Sequence, residues 1–285
     1  RSSDLYLHYK GFVKIENLED YVNLKVLYLE HNAFTKIENL SHFKQLKSLY
    51  LQNNLIERIE NLDGLENLVL LNLSNNRITN IENLGNLPKL ENLDISNNLL
   101  KDSKSIEGLV ECQSLSNVDL SGNDLAYDEK ILSVFMAMKN LACLYLKNTP
   151  LRKDFPNYRK SIIAAVSELK YLDERPIRPE ERRLAEAWQR GGKEGEKAER
   201  ELMELEEKKR KAEQAEENKV RNEKIKQRQA KEIERINREN TEEREKLVKM
   251  REDLLEKKPD NWRRQLELIE NRINYIKEKL DLSPG

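Results

Sequence analysis

A chain of 285 residues with a formal net charge of -1 has no global basic excess, which argues against nucleic acid or an anionic membrane as its partner. Charged residues make up 36% and the hydrophobic class 38%, too little apolar material for one compact globule throughout. The deficit is local: residues 1–175 are leucine-rich, and the remainder is mostly Glu, Lys and Arg. Cys112 and Cys143 are too few for a disulfide framework, which predicts a reducing compartment, and no stretch approaches the roughly 20 apolar residues of a membrane span. The chain opens on Arg1-Ser2-Ser3 without an initiator Met, as an excerpt from a longer protein does.

One phrase recurs along the leucine-rich part. Leu24, Leu27, Leu29 and Asn32 are followed by Ile37-Glu38-Asn39-Leu40, and the same order returns from Leu46, Leu68 and Leu90 at a period of 22 residues. That period marks leucine-rich repeats, whose single coils cannot bury their own leucines and must be covered by their neighbours. Leu5, Leu7, Phe12, Ile15, Leu18 and Tyr21 fit the frame as a degenerate first coil, with Lys10 at the Asn position. After the regular units the spacing stretches to 25, with Leu115 to Asn123, and then to 26, with Leu141, Leu144 and Leu146. The last of these has Thr149 where Asn is expected, which breaks an asparagine ladder. The expected fold is an α/β leucine-rich-repeat solenoid of about seven coils of 22–26 residues with a helical C-terminal cap, followed by a long charged helix and a short helical hairpin.

In each coil the Leu-x-Leu step is a short strand, the Asn turns inward to satisfy buried backbone groups, and the Ile-x-x-Leu closes the convex side. These residues are architecture. The intervening strand positions face outward on the concave side. One column reads Tyr6, Tyr28, Tyr50, Asn72, Asp94, Asp119 and Tyr145; two residues on, the next reads His8, Glu30, Gln52, Ser74, Ser96, Ser121 and Lys147. Three tyrosines in a row followed by polar and acidic positions predict a partner surface, since exposed Tyr concentrates in interfaces. Cross-strand aromatic pairing on a solvated face is the purely structural alternative.

Pro156-Asn157-Tyr158-Arg159 leads into an amphipathic stretch with Ile162, Ile163, Val166 and Leu169, closed by Leu169-Lys170-Tyr171-Leu172-Asp173, which predicts a lid over the last coil. The expected organisation is a solenoid with cap over 1–175, a linker over 176–195, a charged helix over 196–258, and a bend with a heptad-patterned helix over 259–285. In the arm, bases and acids are interleaved, with acids four residues before bases at Glu204 and Lys208, Glu207 and Lys211, Glu217 and Arg221, Glu242 and Lys246, and Glu245 and Lys249. Leu202, Leu205, Ile225, Ile233, Ile236, Leu247, Met250 and Leu254 are too sparse for a dimeric coiled coil. Pro259-Asp260-Asn261 breaks the helix, with Asp260 or Asn261 as its successor's N-cap and Trp262 packed at the bend. Beyond it, Leu266, Ile269, Ile273, Ile276 and Leu280 keep a 3-4-3-4 rhythm, a helix-docking stripe that either folds back on Leu247, Met250 and Leu254 or packs on a partner helix.

No phosphate-binding loop, dinucleotide glycine fingerprint, nucleophile elbow or Cys/His metal spacing is present, so neither enzyme, cofactor nor metal is expected. His8, His31 and His42 lie in separate coils, and carboxylates are too plentiful for any pair to signal catalysis.

The Ile-Glu-Asn-Leu repeats resemble the 22-residue leucine-rich class typified by a nuclear regulatory subunit of protein phosphatase 1. The segments Leu5-Tyr6-Leu7-His8-Tyr9-Lys10-Gly11-Phe12, Pro156-Asn157-Tyr158-Arg159, Tyr171-Leu172-Asp173-Glu174-Arg175-Pro176 and Ala185-Glu186-Ala187-Trp188-Gln189-Arg190-Gly191-Gly192 carry a closer likeness. Over about residues 5–200 the chain resembles the leucine-rich-repeat dynein axonemal assembly factors of ciliated cells. That resemblance implies a non-catalytic scaffold in cytoplasm and cilium axoneme, binding axonemal dynein chains, co-chaperones or microtubule-associated axonemal proteins, with no small-molecule substrate. An axoneme-resident adaptor docked on doublet microtubule components through the long helix, and a protein phosphatase 1 regulator, are the alternatives.

Overall fold

The computed structural model describes residues 3–281. Seven short strands, β1 (Asp4–Tyr6), β2 (Val26–Tyr28), β3 (Ser48–Tyr50), β4 (Leu70–Asn72), β5 (Asn92–Asp94), β6 (Asn117–Asp119) and β7 (Cys143–Tyr145), pair in sequence order and all in parallel. The register is that of the repeat: Leu27, Leu49, Leu71, Leu93, Val118 and Leu144 lie side by side. Strict period is the cause, because a shift by one residue would turn every leucine outward. Leu49 and Leu71 are fully buried, each stabilising the coil by about 1.5–3 kcal/mol relative to exposure. The two longer coils use their extra residues for helix, a 3₁₀ segment at Lys104–Glu111 and α1 (Ile131–Ala137).

Two asparagine ladders tie the coils together. In the first, Asn76 Nδ2 donates to Leu73 O of its own coil and Leu51 O of the preceding one, both at 3.0 Å, while Oδ1 accepts from Ile56 N at 3.0 Å. Asn32, Asn54, Asn98 and Asn123 repeat the pattern. The ladder ends at Thr149, whose hydroxyl donates to Leu146 O at 2.7 Å. The second ladder runs through the Asn of Ile-Glu-Asn-Leu. Asn39, Asn61 and Asn83 each donate to the isoleucine carbonyl one coil back, Ile15, Ile37 and Ile59, at 2.7 Å. All three have φ near +60°, a left-handed turn that Asn tolerates better than other non-glycine residues. This second ladder is absent from the expectation above, which gave that Asn no role.

The lid forms as expected. α2 (Leu151–Asp154) and α3 (Tyr158–Ala165) bury Leu151, Ile162 and Ile163, and β8 (Tyr171–Leu172) joins β7 in parallel with Leu144 beside Leu172. β9 (Arg175–Pro176) turns back antiparallel and closes the nine-stranded sheet. Asp173 takes over where the ladder stops. Its Oδ1 accepts from Leu146 N at 3.0 Å, and its Oδ2 accepts from the Tyr158 hydroxyl at 3.2 Å. Burial and the Asp173 charge push that hydroxyl's pKa far above its usual range.

Residues 176–195, expected to be a linker, are mostly helical. α4 (Pro179–Lys257) begins there and docks on the cap. Arg159 makes a bidentate pair with Glu181 at 2.6 and 2.8 Å, and Arg182 donates to the carbonyls of Ile163, Val166 and Leu169, where α3 ends. α4 is two helices joined by a kink at Gly191 and Gly192, the latter at φ 61, ψ -145. That conformation is essentially restricted to glycine. A Cβ on Gly195 would lie 2.5 Å from Ala187 O, so the second helix packs directly on the end of the first. Small buried Ala185 and Ala187, the glycine pair and Gly195 are therefore one tight helical corner, held across by the Arg183–Glu199 pair at 2.6 Å.

Contacts divide the chain into two compact units between Leu202 and Met203, inside the stretch expected as a single charged helix. In the second unit, α4 runs on to Lys257 and α5 (Trp262–Asp281) follows the bend. Asn261, at φ 67, precedes α5 and caps it through its backbone carbonyl, which accepts from Arg264 N and Gln265 N. Two cross-helix pairs, Arg251 with Glu270 at 3.2 Å and Arg272 with Glu243 at 2.8 Å, make this unit an antiparallel hairpin. Of the stripe Leu266, Ile269, Ile273, Ile276 and Leu280, Ile276 is 1% exposed and the others are half-buried. Leu247 and Leu254 are half-buried, but Met250 is exposed and does not contribute. Of the five acid–base pairs anticipated along α4, Glu207–Lys211 closes at 2.7 Å; other pairings, such as Glu232–Arg235 at 2.6 Å, take the place of the rest. Solvated side chains of this length choose among several partners at little cost.

Candidate functional site

Side chains alternate on every strand, so leucines point in and three columns of residues point out. The middle column has Tyr6, Tyr28, Tyr50, Asn72, Asp94, Asp119 and Tyr145 in register across β1 to β7. Its tyrosines stack: ring centroids are 4.6 Å apart for Tyr6–Tyr28 and 4.8 Å for Tyr28–Tyr50, with planes within 7°. Desolvation, with neighbouring Tyr6 next, raises the Tyr28 hydroxyl's pKa.

Beside the tyrosines lie His8, Glu30 and Gln52 on the same three coils. His8 Nδ1 is 3.8 Å from Glu30 Oε1. Among the described residues, His8 Nδ1, Glu30 Oε2 and Gln52 Oε1 are buried without a hydrogen-bond partner. The aromatic surface extends further than the two columns. His8 meets Tyr6 and Tyr9 edge-on, and Tyr9 stacks on His31 at 4.1 Å. Tyr9 and His31 occupy the turn just past each strand at φ 55 and 56, where the later coils place Asn53, Asn75 and Asn97. The same 22-residue period marks both: they are the odd members of a column otherwise filled by Asn.

Further along, the sheet turns polar and acidic. Asn72, Asp94 and Asp119 each orient Oδ1 by accepting from the backbone N–H of the serine two residues on, Ser74, Ser96 and Ser121, at 3.0, 3.0 and 2.8 Å. Asp94 and Asp119 are directly opposed on neighbouring strands. Burial, with Asp94 adding to it, raises the Asp119 carboxyl's pKa, against the lowering effect of its Ser121 bonds. Tyr145 and Lys147 close the row, and Lys147 is engaged with Glu174 at 2.6 Å. The stripe Leu266, Ile269, Ile273, Ile276 and Leu280 belongs to the second unit. The described residues hold no group of three or more His, Cys, Asp or Glu placed to bind a metal, and no helix long and apolar enough to cross a membrane.

The family described as Leucine Rich repeats (2 copies) matches residues 22–64 and 66–109. Dynein axonemal assembly factor 1 of Rattus norvegicus is 66% identical over 192 residues, which cover 67% of this chain and 30% of that protein. The Dynein axonemal assembly factor 1 homolog of Drosophila melanogaster is 48% identical over 97 residues, 34% of this chain and 6% of that one. Leucine-rich repeat-containing protein ODA7 of Chlamydomonas reinhardtii is 41% identical over 92 residues, 32% of this chain and 21% of that one. The chain therefore spans under a third of the length of these relatives. Among solved structures, an internalin from Listeria monocytogenes has the same type of solenoid, with a TM-score of 0.51 and 25% identity over 60% of this chain and 47% of that one. The chain is a leucine-rich-repeat protein similar in sequence to dynein axonemal assembly factor 1.

Proposed function

We propose that this chain is a non-catalytic scaffold that captures protein partners on its sheet face and acts in the assembly or placement of axonemal dynein arms. The 66% identity to the rat protein of that name over 192 residues supports the pathway. The observation that carries the binding role is the stacked Tyr6–Tyr28–Tyr50 row with buried, partnerless polar atoms beside it. A sheet that served only as architecture has no reason to leave acceptors unmet on one face while meeting every rung of its ladders. The work is done in cytoplasm and cilium, on axonemal dynein chains or the co-chaperones that fold them.

The test is rescue of ciliated cells lacking the protein with wild type and with Tyr28→Ala/Tyr50→Ala, reading dynein arms on isolated axonemes by electron microscopy. Wild type restores the arms and the variant does not, at equal protein level. Full rescue by the variant overturns the assignment of the face. Fractionation of the same cells separates the modes: recovery in cytosol fits an assembly factor, and retention in salt-washed axonemes a resident adaptor.

A further inference from the structure

We infer that the sheet face selects a basic partner segment, whose Arg or Lys side chains lie over the tyrosine row and against Asp94 and Asp119. This deepens the scaffold reading and rests on it. Charge supplies the first argument. Along the outward positions of β2 to β7 the charged residues are Glu30, Asp94, Asp119 and Lys147, three acids against one base. The base is taken up by Glu174 at 2.6 Å, which leaves it unable to neutralise the acids. Asp94 and Asp119 face each other in register with no cation between them, an arrangement that is destabilising in an isolated sheet. Each has one oxygen held by the serine two residues on, and the second oxygen of each has no partner among the described residues.

The unmet polar atoms point the same way. Glu30 Oε2 and Gln52 Oε1 are acceptors, and His8 Nδ1 is one in the Nε2–H tautomer. What they lack are donors, and guanidinium and ammonium groups are the donor-rich side chains that carry no acceptor. The stacked rings contribute a third feature: their faces cover one another, so the row presents its hydroxyl oxygens, which accept from the same donors. An acidic segment would instead meet like charge at every column.

The test uses the full chain and two fluorescein-labelled probes, a peptide alternating Arg and Ala and its counterpart alternating Glu and Ala, followed by anisotropy. The Arg probe is expected to bind and the Glu probe not. Asp94→Asn/Asp119→Asn preserves the serine hydrogen bonds, as Asn72 already makes the same one to Ser74, so the fold is kept. It is expected to weaken the Arg probe roughly tenfold, the scale of losing a charge-assisted hydrogen bond. Equal binding of the two probes, or an Arg probe indifferent to the double substitution and held instead by the acidic residues of α4, overturns the inference. Capture of axonemal dynein chains from ciliated-cell cytosol is measured in parallel. Capture retained while the probes are not discriminated leaves the scaffold reading standing without the charge selection. Probe discrimination without dynein capture by wild type keeps the surface chemistry and removes the pathway.

Discussion

Asn76→Ala removes the side chain that bridges the second and third regular coils at the middle of the solenoid. Asn76 is 8% exposed and bonds the carbonyls of Leu51 and Leu73 and the N–H of Ile56, all at 3.0 Å. Each buried group left unmet costs about 1–3 kcal/mol, and the space vacated by the amide admits water to part of the site, so a loss of roughly 2–4 kcal/mol is expected. The neighbouring Asn75 is the control. It is exposed, sits at φ 56, and its side chain makes no hydrogen bond among the described residues. Asn75→Gly should accordingly fall within about 0.5 kcal/mol of wild type. The assay is urea unfolding followed by Trp188 fluorescence in a Trp262→Phe background, which reports the solenoid and cap without the hairpin. A midpoint shift with unchanged slope gives the difference directly. If Asn76→Ala and Asn75→Gly shift the midpoint alike, the ladder is not what holds the coils together.

Leu71→Ala, at a position with no exposure, should cost about 2–5 kcal/mol through lost burial and the cavity left behind, read in the same assay. Arg182→Ala strands three carbonyls at the end of α3 and should loosen the cap by roughly 1.5–3 kcal/mol; Arg182→Lys should not restore it, because an ammonium cannot span the fork, and both are checked by hydrogen exchange over α3. The Arg159 guanidinium holds the Glu181 carboxyl below its usual 4.5, so this pair's contribution is complete above that pH and is lost as pH falls through the depressed value. Arg159→Met should therefore flatten the acid limb of stability against pH in urea melts. Asp119 has the opposite sign: burial raises its pKa, so its charge works against folding at neutral pH, and Asp119→Asn should stabilise by roughly 0.2–1 kcal/mol, the range for opposed like charges. A fall in the melting midpoint on that change would show that Asp119 has a partner in the fold.

The sequence was most informative wherever one residue type had one physical job in every coil. Leu27, Leu49, Leu71 and Leu93 needed only the period to be placed, since a shared register follows from a shared repeat. Asn39, Asn61 and Asn83 were just as periodic, but their role depends on a left-handed turn and a carbonyl in another coil, neither of which a pattern reveals. The stretch 176–195 read as a linker; here Gly191 and Gly192 turn a helical chain and Gly195 lets the two halves touch. Met250 was wrongly paired with Leu247 and Leu254 because a sparse stripe does not specify which side α5 returns on, whereas the Arg251–Glu270 and Glu243–Arg272 pairs do. The tyrosine row was legible from Tyr6, Tyr28 and Tyr50 alone, while the stacking of Tyr9 on His31 was not, because both belong to the turn rather than to the strand.

Satisfaction of polar groups is uneven across this solenoid, and the unevenness has a location. Five ladder asparagines meet their carbonyls and three convex asparagines meet theirs, so the repeat solves its backbone hydrogen bonding almost completely. On the sheet face the opposite holds. Buried acceptors at Glu30 and Gln52 go unmet, Asp119 is desolvated beside Asp94, and Tyr9 and His31 adopt a left-handed conformation that costs about 1–2 kcal/mol in residues other than glycine and asparagine. Asn at those two turns, as in the next three coils, would remove that strain without disturbing a ladder. Stability given up repeatedly on one face marks that face as the one with work to do beyond folding.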